Sequence, residues 1–323
     1  MQSRESYLAE FWQNTVEPFW QQHAIEWVYQ PQSQFNIQYA LLENPQSEKC
    51  IILLPGRVES FKKYKELAYD FYQLGYSILT LDHRGQGLSH RETDDPELGY
   101  ISDANLYADD LHAICCQTRI FQQYQQVDIL AHSMGSLIAI DFVSRYQPKV
   151  NALAMSSPLL GINAGPLNHT YALKVVNGLM ALQGIKCPEY FINQTEYHRP
   201  EFANNSLCGS QARFELSQDI QADKVIRLGG VTYQWLQQIF IKFSQVFANT
   251  TSITVPCLVL QAELESIVKN QSQNDWVAKV KQSNPHITIR LVKGAKHEIL
   301  MESDTIRGPV IEQIHAFFED PLC

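Results

Sequence analysis

Along the chain, short apolar runs alternate with longer stretches in which apolar positions recur every three or four residues. The runs at 50–54, 76–81, 127–131, 150–155, 256–261 and 287–292 are five or six residues long and rich in Ile, Val and Leu. Such runs suit strands buried on both faces of a parallel sheet. Helical periodicity fills the intervals at 64–74, 105–122, 134–146, 271–281 and 306–318. Upstream, 25–30 and 35–42 alternate polar with apolar residues, as a half-exposed antiparallel edge pair does. Together these patterns predict an α/β fold: an eight-stranded, mostly parallel sheet with helices on both faces.

From Pro158 to about Ala248 the alternation stops. Pro, Gly and Asn punctuate the segment, aromatic residues recur at helical spacing, and no run reads as a strand. We therefore expect two parts, a core of residues 1–157 and 249–323 and an inserted helical cap of residues 158–248. The cap carries seven basic and six acidic residues, a net of +1, which leaves −10 on the core. It is thus the part least repelled by an anionic surface. Residues 171–183, YALKVVNGLMALQ, are apolar except at Lys174, Asn177 and Gln183, the composition of a helix that lines an acyl tunnel, touches a bilayer or packs the cap onto the core. Tyr233, Trp235, Phe240, Phe243 and Phe247 fit cap core at least as well as a substrate wall.

Charge narrows the function. With 25 Lys and Arg against 34 Asp and Glu, the net charge of −9 argues against nucleic acid as a partner. Seven cysteines, none in C-x-x-C spacing, suggest neither a disulfide framework nor a zinc site. The first twenty residues mix Arg4, Glu5, Glu10 and Glu17 among aromatics, unlike a secretory leader. The longest stretch free of Lys, Arg, Asp and Glu, Val150 to Leu173, is broken by Pro158, Gly161, Asn163, Gly165 and Pro166 before a membrane span could accumulate. A reducing, cytoplasmic compartment is expected.

The chemistry concentrates where the run ending at Ala131 enters His132-Ser133-Met134-Gly135 and then a helical pattern. This strand–turn–helix is a nucleophile elbow with its first glycine replaced by alanine. Small residues are needed there because the strand and helix backbones pass closely, and the tight turn lifts Ser133 clear of the sheet edge. A serine hydroxyl is a weak nucleophile at neutral pH and needs an imidazole base oriented by a carboxylate. Both should follow Ser133 in the chain. The loop after 287–292 supplies His297, and the loop after 256–261 supplies Glu263 and Glu265. Glu265 is preferred because it stands two residues before Ile267-Val268, where the loop should turn back; Glu263 fits a solvated charge. The developing oxyanion needs two backbone N–H donors, expected from Met134 and from Arg57, which follows Gly56 after the first parallel strand. The Arg57 side chain could itself form a structural ion pair.

These residues resemble the α/β-hydrolases of the monoacylglycerol-lipase and lysophospholipase branch. Asp82-His83-Arg84-Gly85-Gln86-Gly87-Leu88-Ser89 matches the D-x-R-G-x-G-x-S motif of that branch, and Ala131-His132-Ser133-Met134-Gly135 matches its elbow. The set P-G-R-V-E-S from Pro55, I-R-L-G-G-V-T-Y-Q-W from Ile226, L-Q-A-E-L-E-S-I-V from Leu260 and K-G-A-K-H-E-I-L from Lys293 narrows the likeness to bacterial pldB-type lysophospholipases, from about Leu53 to Phe318. Pro55-Gly56 in place of His-Gly, Ala131 in place of Gly and Glu265 in place of Asp depart from many relatives and are shared by that type. Ser136, where Gly is usual, also departs. The resemblance implies that Asp82 and Arg84 are structural.

What it implies of function is an α/β-hydrolase fold with a catalytic triad of Ser133, Glu265 and His297, and hydrolysis of the single fatty-acyl ester of a lysophospholipid without metal or organic cofactor. Transacylation follows if a lipid alcohol enters before water. A monoacylglycerol lipase or general carboxylesterase is the alternative among enzymes, because the triad is blind to the head group. A non-catalytic lipid-binding protein on the same fold is the alternative outside them. An Asp-nucleophile epoxide hydrolase or dehalogenase is disfavoured by Ser133. The expected partners are a lysophospholipid or monoacylglycerol substrate and, through the cap, the surface of the inner membrane; no obligate protein partner is implied.

Overall fold

All eight expected strands form, each end within two residues of the pattern: β1 (Ala24–Gln32), β2 (Phe35–Leu42), β3 (Lys49–Leu54), β4 (Ser77–Leu81), β5 (Gln126–His132), β6 (Ala152–Ser156), β7 (Cys257–Ala262) and β8 (Ile287–Val292). The computed structural model describes residues 3–32, 35–163 and 169–322; Cys323 and positions 164–168 of the expected cap lie outside the described residues. The strands make one sheet in the order β1-β2-β4-β3-β5-β6-β7-β8. β1 and β2 pair antiparallel, β2 joins β4 antiparallel, and β4 through β8 run parallel. All the parallel strands therefore present their carboxyl ends on one edge, where doubly wound sheets place their sites.

Helices cover both faces. α1 (Glu17–His23), α2 (Lys65–Gln73) and α9 (Asp304–Glu319) pack one apolar layer that includes Ile51, Leu53, Ile78, Leu130 and Leu260. α3 (Asn105–Gln117), α4 (Met134–Tyr146) and α8 (Asn270–Val280) pack the other, with Ile52, Leu54, Ile129, Leu153 and Val259. Neighbouring strand residues face opposite layers because side chains alternate across a sheet.

One expectation differs in detail, and one helical segment was not expected. The helix expected over 105–122 breaks into α3 and a turn at Ile120–Gln123, because Arg119 adopts a left-handed backbone (φ 52°) with neither Gly nor Pro to announce it. The amino-terminal segment is helical from Arg4 to His23, a feature the interleaved charges and aromatics concealed. Leu8, Val16, Phe19 and Trp20 are buried there, with Trp20 stacked on Phe61 at 5.9 Å between ring centroids.

Between β6 and β7 lie α5 (His169–Gln183), α6 (Gln211–Gln221) and α7 (Tyr233–Ala248), with no strand among the described residues of 158–248. Ser210 and Thr232 cap α6 and α7, their hydroxyls accepting from the Arg213 and Trp235 amides. The apolar stripe of α7, with Trp235, Leu236, Ile239, Phe240, Phe243 and Val246, is continuous with the core layer of α4. α6 is tied down by the fully buried Arg213, which donates to Glu66 of α2 at 2.8 and 2.9 Å and to Asp304 of α9 at 2.6 Å. Lys242 of α7 likewise reaches Asp141 of α4 at 2.8 Å. The six described cysteines are all free thiols, and no described helix is long and apolar enough to cross a membrane.

Candidate active site

Ser133 stands between β5 and α4 with φ 48° and ψ −113°, a backbone conformation costly for a residue with a side chain. The surroundings enforce it. Its amide donates to Ser156 O at 3.0 Å, and its carbonyl accepts from the Ser136 and Leu159 amides at 3.0 and 3.1 Å. Gly135 has no alternative, since a Cβ there would drive into the carbonyl oxygens of Leu54 and Pro55. Ala131, the departure from glycine, fits fully buried, and the Ser136 hydroxyl donates back to Ala131 O at 3.0 Å, fastening the first helical turn to the strand.

The loops after β7 and β8 bring the expected partners to this serine. His297 Nε2 is 3.0 Å from Ser133 Oγ, and His297 Nδ1 is 2.8 Å from Glu265 Oε2. An ionised carboxylate can only accept, so Nδ1 carries the hydrogen and Nε2 is left to accept from the serine. Glu265 Oε1 accepts from the Ile267 and Val268 amides at 2.8 and 3.2 Å, which is the loop turn expected there. Burial pushes the Glu265 carboxyl upward, but His297 and the two amides outweigh it and hold it below the usual range. Glu263 is exposed and accepts from the Gly294 amide at 2.8 Å, tying its loop to the one that carries His297.

Met134 is the first residue of α4, so its amide has no partner within the helix. Among the described residues no acceptor bonds the Met134 or the Arg57 amide. The Arg57 side chain forms no ion pair with a described residue; Nη2 donates to Gly229 O at 3.0 Å and Gly230 O at 2.7 Å, and the guanidinium lies 5.0 Å from the Trp235 ring centroid. Asp82 accepts from the Phe61 and Leu88 amides at 2.6 and 2.7 Å and from Ser60 Oγ at 2.9 Å, and Arg84 grips Asp110 through two bonds at 2.9 and 2.7 Å. Both brace the loops behind the site.

A buried ionic cluster under the site had no sequence signal. Lys63 Nζ lies 2.6 Å from Glu59 and 2.7 Å from Glu298, and Glu59 also accepts from Tyr64 OH at 2.6 Å and from the Gly56 amide. Burial alone would raise Glu59, yet the Lys63 ammonium, aided by the hydrogen bonds from Lys63 and Tyr64, holds it down to about 2. Burial takes His132 down to about 3 and keeps it neutral, with its ring 4.9 Å from that of His297. Glu59, His132 and Glu298 have the spacing of a cation site, but the Lys63 ammonium already holds both carboxylates. The i,i+4 pair Glu59 and Lys63 is local, whereas Glu298 arrives from the far end of the chain.

Ser133 and His297 open into a cavity of about 360 Å³ whose walls include Arg57, His132, Tyr197, Gln218, Val231 and Trp235. A second, largely apolar cavity of about 560 Å³ lies between α5 and α7, lined by Ala172, Val175, Val176, Phe240, Phe243 and Phe247. The two share Ile162 and Val231. Of the cap aromatics, Trp235 thus faces the reaction cavity, three phenylalanines face the apolar one, and Tyr233 is buried with its hydroxyl 3.0 Å from Gln183.

Residues 45–304 match the family model Hydrolase_4, described as serine aminopeptidase, S33. Lysophospholipase L2 of Escherichia coli (strain K12) is 32% identical over 322 residues, spanning 98% of this chain and 94% of that protein. Among solved structures, a thermostable carboxyl esterase from Bacillus coagulans superposes with a TM-score of 0.76 at 16% identity, covering 93% of this chain and 99% of the other. A soluble variant of monoglyceride lipase from Saccharomyces cerevisiae superposes at 0.70 and 14% identity, covering 93% and 96%. The chain belongs to the serine aminopeptidase S33 hydrolase family, built on the α/β-hydrolase fold.

Proposed function

We propose that this protein is a serine carboxylic-ester hydrolase that releases the fatty acid of lysophospholipids through an acyl-enzyme on Ser133. The observation that carries the reading is the unbroken hydrogen-bonded chain Glu265–His297–Ser133 at the floor of a cavity that adjoins an apolar chamber. His297 Nε2 takes the Ser133 proton as Oγ attacks the ester carbonyl, and Glu265 stabilises the imidazolium. The Met134 and Arg57 amides receive the oxyanion. His297 then protonates the departing glycerol oxygen, and water repeats the cycle to free the acid. The likeness to lysophospholipase L2 supports the substrate class.

The inserted residues 158–248 act as the cap of this site. The chamber between α5 and α7 is the berth for the acyl chain, its walls supplied by the helix whose composition suggested such a role. Away from the chamber α5 exposes Tyr171 and Leu182, with Ile192 nearby in the chain also exposed, an apolar face suited to peripheral contact with a bilayer. Free thiols, including the exposed Cys116 and Cys187, fit a reducing cytoplasmic setting.

The test is fatty-acid release from lysophospholipids, monoacylglycerols and a short-chain ester by wild type beside Ser133→Ala. Lysophospholipid-preferring turnover that vanishes in the variant is expected. Equal turnover of all three classes would make the protein a general esterase, and turnover of none would leave a lipid-binding protein. Liposome flotation checks the membrane contact.

A further inference from the structure

The buried cations Lys63, Arg84, Arg213 and Lys242 each meet a carboxylate within 3 Å. Arg57 meets none among the described residues, although it too is drawn into the protein. Its Nη2 spends both hydrogens on the Gly229 and Gly230 carbonyls, its Nε is buried with no partner, and its Nη1 bonds no acceptor among the described residues. Burial without an acid lowers its pKa to about 10. A cation taken from water and given only dipoles and an aromatic face is poorly compensated, and what compensates it fully is an anion. The nearby carboxylates Glu59 and Glu298 are taken by Lys63.

Arg57 walls the same cavity as Ser133, and Gly229, Gly230 and Trp235, which hold its guanidinium, belong to the inserted segment. We propose that the Arg57 guanidinium is the phosphate-binding group of the site, receiving the phosphodiester of the lysophospholipid head group and thereby selecting phospholipid over neutral glycerolipid. The inference rests on the lysophospholipase reading. The phosphate lies only the length of a glycerol away from the scissile ester. One residue can therefore serve both ends, its amide at the ester carbonyl and its side chain at the phosphate. Nη2 is committed to the two carbonyls, and Nη1 keeps both its hydrogens to donate to a phosphate oxygen beside the charge. Its neighbour Gly99 marks how closely the structure encloses the group, since a Cβ there would collide with Nη2.

The experiment compares kcat/KM for palmitoyl lysophosphatidylethanolamine and for monopalmitoylglycerol, both below their aggregation concentrations, in wild type, Arg57→Met and Arg57→Lys. The readout is the ratio of the two values, in which active fraction and any shared change at the oxyanion site cancel. We expect the ratio to fall at least tenfold in Arg57→Met, mainly through KM for the lysophospholipid, and less in Arg57→Lys, which keeps the charge. Ratios within twofold of wild type in both variants overturn the proposal, because both rates then move together and the side chain only holds the Gly229–Gly230 turn. That failure differs from failure of the underlying reading, in which wild type itself does not release fatty acid from the lysophospholipid and both fall.

Discussion

Replacing Glu265 by glutamine should be nearly as damaging as removing the nucleophile. The carboxylate is held from two sides: Oε1 takes the Ile267 and Val268 amides at 2.8 and 3.2 Å, and Oε2 faces His297 Nδ1 at 2.8 Å. A glutamine in the same pose must give its carbonyl oxygen to the two amides, since an NH2 there would face two donors. Its NH2 then points at Nδ1, which must accept, and the imidazole hydrogen moves to Nε2, facing Ser133 Oγ. In that tautomer His297 cannot take the serine proton. The corresponding wrong-tautomer substitution in a serine protease costs about four orders of magnitude in kcat, or about 5.5 kcal/mol of barrier. Here we expect a loss of about 10³–10⁴-fold with little change in KM. Glu263→Gln, on the exposed side of the same loop and able to keep its bond from the Gly294 amide, should stay within about twofold of wild type. Steady-state fatty-acid release, with thermal melts to show that both variants fold, is the assay. More than about 5% residual activity in Glu265→Gln would refute the tautomer argument, and a larger loss in Glu263→Gln would reassign the acid.

Lys63→Met strands two buried carboxylates and should cost about 3–5 kcal/mol of stability at pH 7, seen as a lower urea midpoint; a loss under about 1 kcal/mol would mean the cluster is solvated. Glu66 is held down to about 2 because Arg307, Arg213 and Arg4 outweigh its burial. Its contribution, about 3 kcal/mol, is therefore full above the usual carboxylate range and disappears as pH falls through that range toward 2. The melting-temperature gap between wild type and Glu66→Gln should accordingly close on acidification, and a gap that stays constant from pH 7 to pH 3 would contradict this. Val176→Trp fills the apolar chamber between α5 and α7, so the ratio of kcat/KM for a palmitoyl over an octanoyl substrate should drop about tenfold; an unchanged ratio would place the acyl chain elsewhere.

Much of this protein was legible before folding because the relevant signals are local. Strand and helix periods are properties of five to fifteen consecutive residues, and α4 and β8 have the bounds the pattern predicts. The elbow is local too: Ala131, Ser133 and Gly135 sit where one turn forces strand and helix together. Chain order after the serine located His297, and the following Ile267-Val268 turn favoured Glu265 over Glu263, because the two amides of that turn are what fix the carboxylate.

Other features depend on residues brought together from distant parts of the chain. Glu298 joins Glu59 and Lys63 across more than 230 residues, and a buried ion pair of that kind leaves no period in either segment. Arg213, which the sequence offered only as one of seven basic residues of the inserted segment, is fully buried between Glu66 and Asp304. The sequence left the Arg57 side chain free to pair with an acid; only the folded chain puts Gly229, Gly230 and Trp235 around it, with no ion pair to a described carboxylate. Composition proposed an acyl-lining helix and a cap aromatic stripe with equal warrant for plain packing. The meeting of α5 with α7 settled that both contribute to the wall of one chamber, because an apolar face becomes core or cavity according to how far apart the backbones are held. The residue types and their order thus determined the sheet, the elbow and its partners, while burial, charge pairing and the shape of the chamber were decided by distances that exist only in three dimensions.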